Sequence, residues 1–301
     1  NTSYTNQYQK HTPSSFCYYI KCFDDEIYPP KTVTFTAENE DDDVAKIFIH
    51  KLENDVKQIY DSFKFPEPMI FTEADEKSFN EAPVCHICER KFGSDRKDIV
   101  RDHCHITGRY RGAAHNECNI NYKIPKFIPV VFHNLTGYDS HLFIKKLSGG
   151  GKINCIPCNE EKYISFSKAL VVDTFINKKG KQVDVTRELR FIDSFRFMPA
   201  SLDALSKNLT KEQCKNTGSK YSGKQLDLLL RKGVYPYDYM DSIERLNETK
   251  LPPKTAFYSK LNGSDISDED YEHAHTVWNE FSCKRMRDYH DLYNVSDVLL
   301  L

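Results

Sequence analysis

The chain has 301 residues and a formal net charge of −2, so no overall positive field indicates nucleic-acid binding, and any such contact must be local. With 39% hydrophobic and 13% aromatic residues, the composition predicts a globular protein with apolar material for one large domain or two. Ten cysteines are too few for a disulfide scaffold and no run of about 18 apolar residues occurs, which favours an intracellular, reducing compartment and no membrane partner.

The first predicted elements are a β-hairpin and a helix. Two runs of β-branched and aromatic residues, 16–23 and 31–36, flank an acidic turn that contains prolines, which predicts the hairpin. Acidic residues at 38–43 then precede apolar residues at helical spacing from Val44 to Tyr60. Because acidic side chains favour a helix N-terminus, the sequence predicts that this helix begins near Val44.

Two pairs of soft metal ligands follow the helix, and they are Cys85 with Cys88 and His115 with Cys118. Closely spaced pairs of this kind form the tetrahedral sulfur and nitrogen sites that Zn2+ prefers, so the spacing predicts one structural zinc ion. Other ligand sets would break the paired spacing, and they would use His86, His103 or Cys104.

Polar residues between and directly after these pairs could carry nuclease chemistry, and they are Asp102, His103, His105 and Asn119. Imidazole suits the deprotonation of water because its pKa lies near neutrality. The alternative is a zinc knuckle that only staples a loop, in which these side chains are ordinary surface groups.

The order of three motifs resembles the zinc-stapled recombination endonuclease VII group of the HNH superfamily. The motifs are Asp102-His-Cys-His105, Arg111-Gly112 and Cys118-Asn119. The resemblance implies a small ββα zinc module at residues 80–124 that binds branched DNA. It further implies that Asp102 and Asn119 hold a catalytic Mg2+ and that His103 or His105 deprotonates the attacking water. His115 is a departure, because the phage enzymes have a cysteine there.

Beyond this module the pattern predicts an α/β core. The continuous apolar run 127–132 is typical of a strand buried on both faces, and 140–147 has helical spacing. Asp139 is therefore predicted at a strand-to-helix junction, where open sheets place their catalytic groups. Further strands are predicted at 163–167, 169–175 and 188–193, and helices over 199–232, from 267 and from 285. A second pair, Cys155 and Cys158, has no partner pair and is predicted to be a loose turn with two free thiols rather than a second zinc site.

A second constellation is formed by Asn134, Tyr138 and Asp139 at that junction together with Tyr293 and Asp297 on the last helix. The two helical residues are four apart and share a face. Together they resemble the second and third exonuclease motifs of family B DNA polymerases. The wider stretch resembles the protein-primed polymerases of viruses and Maverick/Polinton transposons, some of which carry an endonuclease VII-like zinc insert.

This resemblance implies an RNase H-like 3′–5′ exonuclease sheet built from residues 1–79 and 125–301 around the module. Asp139 and Asp297 would hold Mg2+, and Tyr293 would orient the water or the scissile phosphate. Contacts with the 3′ end of single-stranded DNA would come from Asn134, Tyr138, Ser194, Phe195 and Lys232. The function implied is the proofreading region of a DNA-directed DNA polymerase in DNA replication, with deoxynucleotides bound by a polymerase domain and a nuclear or viral replication site.

One departure from that family is serious, because its first motif, Asp-x-Glu on the first strand, is missing. Asp24-Asp-Glu26 has the right letters but falls in a predicted turn. We therefore expect a fragment that lacks the first strand of the sheet and that is a poor exonuclease by itself. The alternatives are a free-standing HNH endonuclease and a non-catalytic zinc module that docks on nucleic acid.

Overall fold

The computed structural model describes residues 11–94, 96–122, 125–159 and 163–301. Its first elements confirm the predicted hairpin and helix. Strands β1 (Ser15–Ile20) and β2 (Lys31–Thr36) pair antiparallel, and helix α1 (Val44–Ser62) follows. The Asp43 side chain caps α1 by accepting a hydrogen bond from the Lys46 backbone N–H, and the apolar stripe of α1 is buried.

The predicted module has the order strand, strand, helix. Helix α2 (Glu73–Glu81) precedes β3 (Ile99–His103), β4 (Tyr110–His115) and α3 (Asn116–Asn121). The loop between the two strands is tied to the chain before α2, because the Glu67 N–H donates to the His105 carbonyl (2.7 Å) and the Ile70 N–H to that of Gly108 (2.7 Å). The segment that contains Glu67 and Ile70 lies before the predicted module boundary at residue 80, yet it is hydrogen-bonded to the module.

The main sheet contains β5 (Phe127–Phe132), β6 (Ile153–Pro157), β7 (Tyr163–Ile176) and β8 (Gln182–Asp193) in the spatial order β5-β8-β7-β6. Strand β5 runs parallel to β8, and the other neighbours are antiparallel. The prediction that β5 is buried on both faces is wrong, since Pro129 is exposed and Val131 is 46% exposed. Among the described strands β5 has a single neighbour, and only its other face packs against the core.

The two strands predicted at 163–167 and 169–175 form one continuous strand, β7. The residue between them, Lys168, is only 3% exposed, and its ammonium group pairs with Glu53 of α1 at 2.6 Å. A buried charge is tolerated when it is paired, so the lysine continues the strand instead of ending it.

An aromatic core lies between this sheet, α1 and the short helix α4 (Asp139–Phe143). The rings of Phe166 and Phe191 stack at 4.8 Å, and those of Phe48 and Phe143 meet at 5.2 Å. This packing holds α4, which begins at Asp139, against the sheet.

Helices fill the C-terminal part of the chain. The predicted helical stretch 199–232 is broken into α5 (Leu202–Ser206), α6 (Lys215–Lys220) and α7 (Gly223–Leu229), and the two longer helices are α8 (Asp268–Glu280) and α9 (Met286–Leu300). Ser267 caps α8 as its sequence predicts. The described helices include none long and apolar enough to cross a membrane.

Helix α9 docks on the N-terminal hairpin. The Arg287 guanidinium donates to the carbonyls of Thr36 (3.1 Å) and Ala37 (2.7 Å), and His290 Nε2 lies 2.7 Å from the Ser15 hydroxyl. These contacts fix the helix that carries Tyr293 and Asp297. The fold is therefore mixed α/β as predicted, and its RNase H-like relationship stays a prediction.

Candidate functional sites

The four predicted zinc ligands lie together. Their ligand atoms are all within 4.8 Å of one another, and His115 Nδ1 is 3.5 Å from Cys88 Sγ and 3.9 Å from Cys118 Sγ. Zinc bond lengths imply sulfur-to-nitrogen separations of about 3.6 Å in a tetrahedral site, so the cluster fits a zinc ion. The ligands come from a tight turn before β3, the end of β4 and the first turn of α3.

Charge in this cluster favours a bound cation. Hydrogen bonds from Arg90 lower the pKa of the Cys88 thiol to about 6, which favours the thiolate that binds metals. Burial and hydrogen bonding to the thiols of Cys88 and Cys85 raise the pKa of Cys118 to about 11. Three neighbouring thiolates repel one another. All three cysteines can therefore be ionised at the same time only when a cation is bound between them.

Asp102, the predicted Mg2+ ligand of the module, is 1% exposed and has protein partners on both carboxylate oxygens. Arg111 Nη2 donates to Oδ1 (2.7 Å), and His86 Nε2 donates to Oδ2 (2.7 Å). Mg2+ keeps several water ligands and needs accessible oxygens. Asp102 in this arrangement therefore does not fit Mg2+, and its role as a metal ligand stays a prediction.

The two candidate bases lie beside this carboxylate. The rings of His103 and His105 stack with their centroids 4.7 Å apart, and the His105 side chain is exposed. Burial and the neighbouring His105 lower the pKa of His103, which leaves its imidazole neutral at pH 7 and able to accept a proton. Asn119 lies on α3 and is half-buried.

The second constellation is organised by a residue that the motifs do not include, Asp193 at the end of β8. Phe132 and Asp193 are opposite each other in the parallel β5–β8 pair, so both strands end at one edge of the sheet. The Asp193 carboxylate accepts backbone N–H bonds from Asn134 (2.9 Å), Thr136 (2.9 Å) and Phe195 (3.1 Å). It therefore holds the loop that leads from β5 into α4.

Asp139 and Asp297 line one cavity of about 1750 Å3, although they belong to different elements. Burial, together with the charge of Asp193, raises the pKa of Asp139 to about 6. Burial also raises the pKa of Asp297, against the nearby positive charge of Lys232. The Asp297 Oδ1 atom is buried and has no hydrogen-bond partner within the described structure. A buried carboxylate oxygen without a donor is a feature expected of a cation ligand, and Asp297 is the residue of the pair that shows it.

Tyr293 orients Asp297. The Tyr293 hydroxyl lies 3.3 Å from Asp297 Oδ2, and it also hydrogen bonds to the Tyr237 hydroxyl. Burial and the neighbouring Asp297 raise the pKa of Tyr293, so its hydroxyl keeps its proton and can donate it to the carboxylate. The contact explains why these two residues are four apart on α9.

The predicted DNA-binding residues are placed differently. Asn134, Phe195 and Lys232 line the cavity, whereas Tyr138 is exposed and bonds through its hydroxyl to His11 (2.9 Å). Ser194 is buried, and its hydroxyl donates to the Phe132 carbonyl (3.0 Å) and contacts His133 Nδ1 (3.0 Å). Ser194 thus supports the loop around His133, and the predicted DNA contacts of all five residues stay predictions.

The cavity also reaches the module, since His105 and Ile106 line it together with Asp139 and Asp297. Its walls include β1 and β5, and each of these strands has one neighbour among the described strands. Asp24 and Glu26 lie in the turn between β1 and β2. Arg109 of the module approaches both carboxylates, at 3.8 Å from Asp24 and 3.9 Å from Glu26.

The sequence did not predict the positions of two residues: His86, which was considered only as an alternative zinc ligand, and Asp193. His86 lies between the two cysteines of the knuckle, and an Asp-Ser pair at the end of a predicted strand is the only sequence signal for Asp193. Neither signal is specific, because aspartate often ends a strand and polar residues often fill a metal knuckle.

In a comparison with known families, residues 67–128 match the recombination endonuclease VII family. The match contains both zinc-ligand pairs and all four candidate catalytic residues of the module. No curated protein and no solved structure matches the chain significantly. The chain therefore carries an endonuclease VII-like domain with a cluster able to bind zinc, which suggests nucleic-acid binding or nuclease activity.

Proposed function

We propose that this chain is part of a metal-dependent nuclease that acts on DNA. Hydrolysis would take place at the Asp139–Asp297 cavity once the missing Asp-x-Glu carboxylates are supplied, and the zinc-stapled domain would dock the DNA. The observation that carries this proposal is the partnerless, buried Asp297 Oδ1 in a cavity shared with Asp139. The endonuclease VII-like match supports DNA as the substrate.

Asp139 and Asp297 would hold the divalent cation, which when bound would supply water activation and neutralise charge on the phosphate. Tyr293 would keep Asp297 oriented through its hydroxyl, and Lys232 adds positive charge near that carboxylate. Asp193 would keep the Asn134 loop at the cavity without touching the substrate. Groups held in place in this way need no reorganisation during the reaction.

The finer proposal is a proofreading 3′–5′ exonuclease region of a protein-primed family B DNA polymerase. The resemblance of Asn134, Tyr138, Asp139, Tyr293 and Asp297 to the exonuclease motifs supports it. The single-neighbour strands β1 and β5 face the cavity, which is consistent with an additional strand between them. A strand there could carry the missing Asp-x-Glu carboxylates close to Asp139, and polymerase activity on deoxynucleotides would belong to a further domain.

We expect Mn2+ to strengthen binding of linear single-stranded DNA at the cavity at least tenfold, because a cation held by the carboxylates would neutralise charge on the phosphate. Asp297→Asn and Asp139→Asn should each remove this gain in an equilibrium binding assay with a fluorescent oligonucleotide. Asp203→Asn is the matched control, since Asp203 lies on α5 and pairs with Lys207. Equal Mn2+-dependent binding of linear and circular DNA would exclude a site for 3′ ends.

A second candidate function is HNH endonuclease activity of the module itself. The observation that favours it is the stacked pair of His103 and His105 next to Asp102, inside the segment that matches endonuclease VII. One of the two imidazoles would accept the proton of the attacking water. The alternative is a domain that binds DNA without cutting it, in which neither histidine activates a water molecule.

Cutting of branched or nicked DNA should require Mg2+ and fall at least 100-fold in the double variant His103→Ala/His105→Ala, the usual size of general-base effects. The control His50→Ala, on the exposed face of α1, should cut like the unmodified chain. Cutting that survives the double variant would remove the endonuclease hypothesis. DNA binding without any cutting would support only the docking role of the module.

A further inference from the structure

Helix α9 carries a buried histidine, His290, whose hydrogen bonds reach both the N-terminal hairpin and the segment 233–237. Its side chain is 7% exposed, and burial lowers its pKa to about 4, so the imidazole is neutral at pH 7. Nε2 lies 2.7 Å from the Ser15 hydroxyl, to which the Asn294 amide also donates (2.9 Å). Nδ1 lies 2.5 Å from the Tyr235 hydroxyl. Both ring nitrogens therefore have partners, and a rotation of the ring would break at least one of these contacts.

The ring of Tyr235 connects this histidine to Tyr293. The two tyrosine rings stack with their centroids 4.9 Å apart and their planes at 30°. Gly233 closes the space on another side, since a Cβ atom there would lie 2.8 Å from Tyr293 Cδ2. The Tyr293 hydroxyl lies 3.3 Å from Asp297 Oδ2. Because close-packed rings have few alternative positions, a shift of Tyr235 would displace the Tyr293 hydroxyl from the carboxylate.

We propose that His290 and Tyr235 are positioning residues of the cavity. They hold Tyr293 in the place from which its hydroxyl orients the Asp297 carboxylate. Neither residue is among those that line the cavity, so both act through Tyr293 and touch neither DNA nor a cation. The consequence for metal binding rests on the function proposed above. Partners that orient a metal ligand typically change metal affinity about 10- to 100-fold when they are removed.

The alternative is that His290 only docks α9 on the hairpin. Arg287 docks the same helix on the same hairpin, because its guanidinium donates to the backbone carbonyls of Thr36 and Ala37. Arg287→Met should therefore weaken the docking while the contact between His290 and Tyr235 stays in place. A variant of His290 that keeps this contact and one that loses it complete the comparison, and together they separate positioning from docking.

The test is a double-mutant cycle between Tyr293→Phe and Asp297→Asn, measured by urea denaturation in the unmodified protein and in each variant background. The cycle gives the coupling free energy between the hydroxyl and the carboxylate, and it needs neither metal nor DNA. An asparagine amide can take the place of the imidazole Nδ1, whereas a glutamine amide reaches that of Nε2. His290→Asn should therefore keep most of the coupling, and His290→Gln should lose at least half of it. Arg287→Met should lower the stability and leave the coupling unchanged.

The gain that Mn2+ gives to binding of single-stranded DNA should follow the same order. It should be about tenfold or more in the unmodified protein and in His290→Asn, and below about threefold in His290→Gln. Coupling that is absent in the unmodified protein, or equally large in His290→Gln, would overturn the positioning role. So would an equal loss in Arg287→Met, because docking alone would then explain it. If the coupling follows the expected order but Mn2+ strengthens DNA binding in none of these proteins, the positioning of Asp297 stands and the proposed metal-dependent function is overturned.

Discussion

Replacement of Cys88 by alanine should empty the zinc site and unfold the endonuclease VII-like domain while the main sheet stays folded. The domain buries few large apolar side chains, and its fully buried residues include Ala113, Ala114 and Cys85. So small a core cannot offset the conformational entropy of the segment, so the metal has to stabilise it. Apparent binding free energies of structural zinc in small domains are about 10–16 kcal/mol. We expect the loss of one ligand to remove most of this stabilisation.

Metal analysis of the purified protein should give one zinc per chain, and Cys88→Ala should give none. Limited proteolysis should then cut within residues 67–128 and spare the aromatic core around Phe191. Cys158→Ala is the matched control, since Cys158 is an exposed cysteine of the second Cys-x-x-Cys pair and should leave the zinc content unchanged. Unaltered zinc in Cys88→Ala would refute the ligand assignment.

Replacement of Asp193 by alanine should lower the free energy of unfolding by roughly 3–5 kcal/mol, because it leaves the N–H groups of Asn134, Thr136 and Phe195 without their acceptor. The carboxylate is 3% exposed, so water cannot easily replace it. Asp184→Ala, on an exposed position of the same strand, should change stability by no more than about 0.5 kcal/mol. Urea denaturation of both variants measures the difference.

The effect of Asp193→Ala should depend on pH in a defined direction. Burial alone would raise the pKa of Asp193, but the N–H bonds from Thr136, Phe195 and Asn134 outweigh it and lower the pKa. A carboxylate with a lowered folded-state pKa stabilises the fold above its unfolded pKa of about 3.9, and this stabilisation is lost as pH falls through the folded value. The stability difference between the two proteins should thus be full at pH 7 and shrink below about pH 4. A difference that grows on acidification would contradict this role.

Asp139 should have the opposite effect on the pH dependence of stability. Its pKa is raised to about 6, so it opposes folding when ionised, and this cost disappears as pH falls from 6 towards 4. Asp193, whose charge adds to this shift, holds the loop that leads into α4.

Local patterns in the sequence determined the elements and the zinc cluster. The Cys85/Cys88 and His115/Cys118 pairs come together as their spacing predicts, since a tight turn and one helical turn each define a chelating pair locally. Helix α1 and the Ser267 cap of α8 follow their patterns for the same reason, because capping and amphipathic spacing act within a few residues.

The tertiary structure alone decided how these elements are used. An apolar run cannot reveal whether its strand has one neighbour or two, and β5 has one among the described strands despite its composition. The partners of Asp102 and Asp193 come from other segments, His86 and Arg111 in one case and the loop after β5 in the other. Hydrogen bonds and desolvation depend on distances of a few ångströms between residues far apart in the chain, and those distances exist only once the chain has folded.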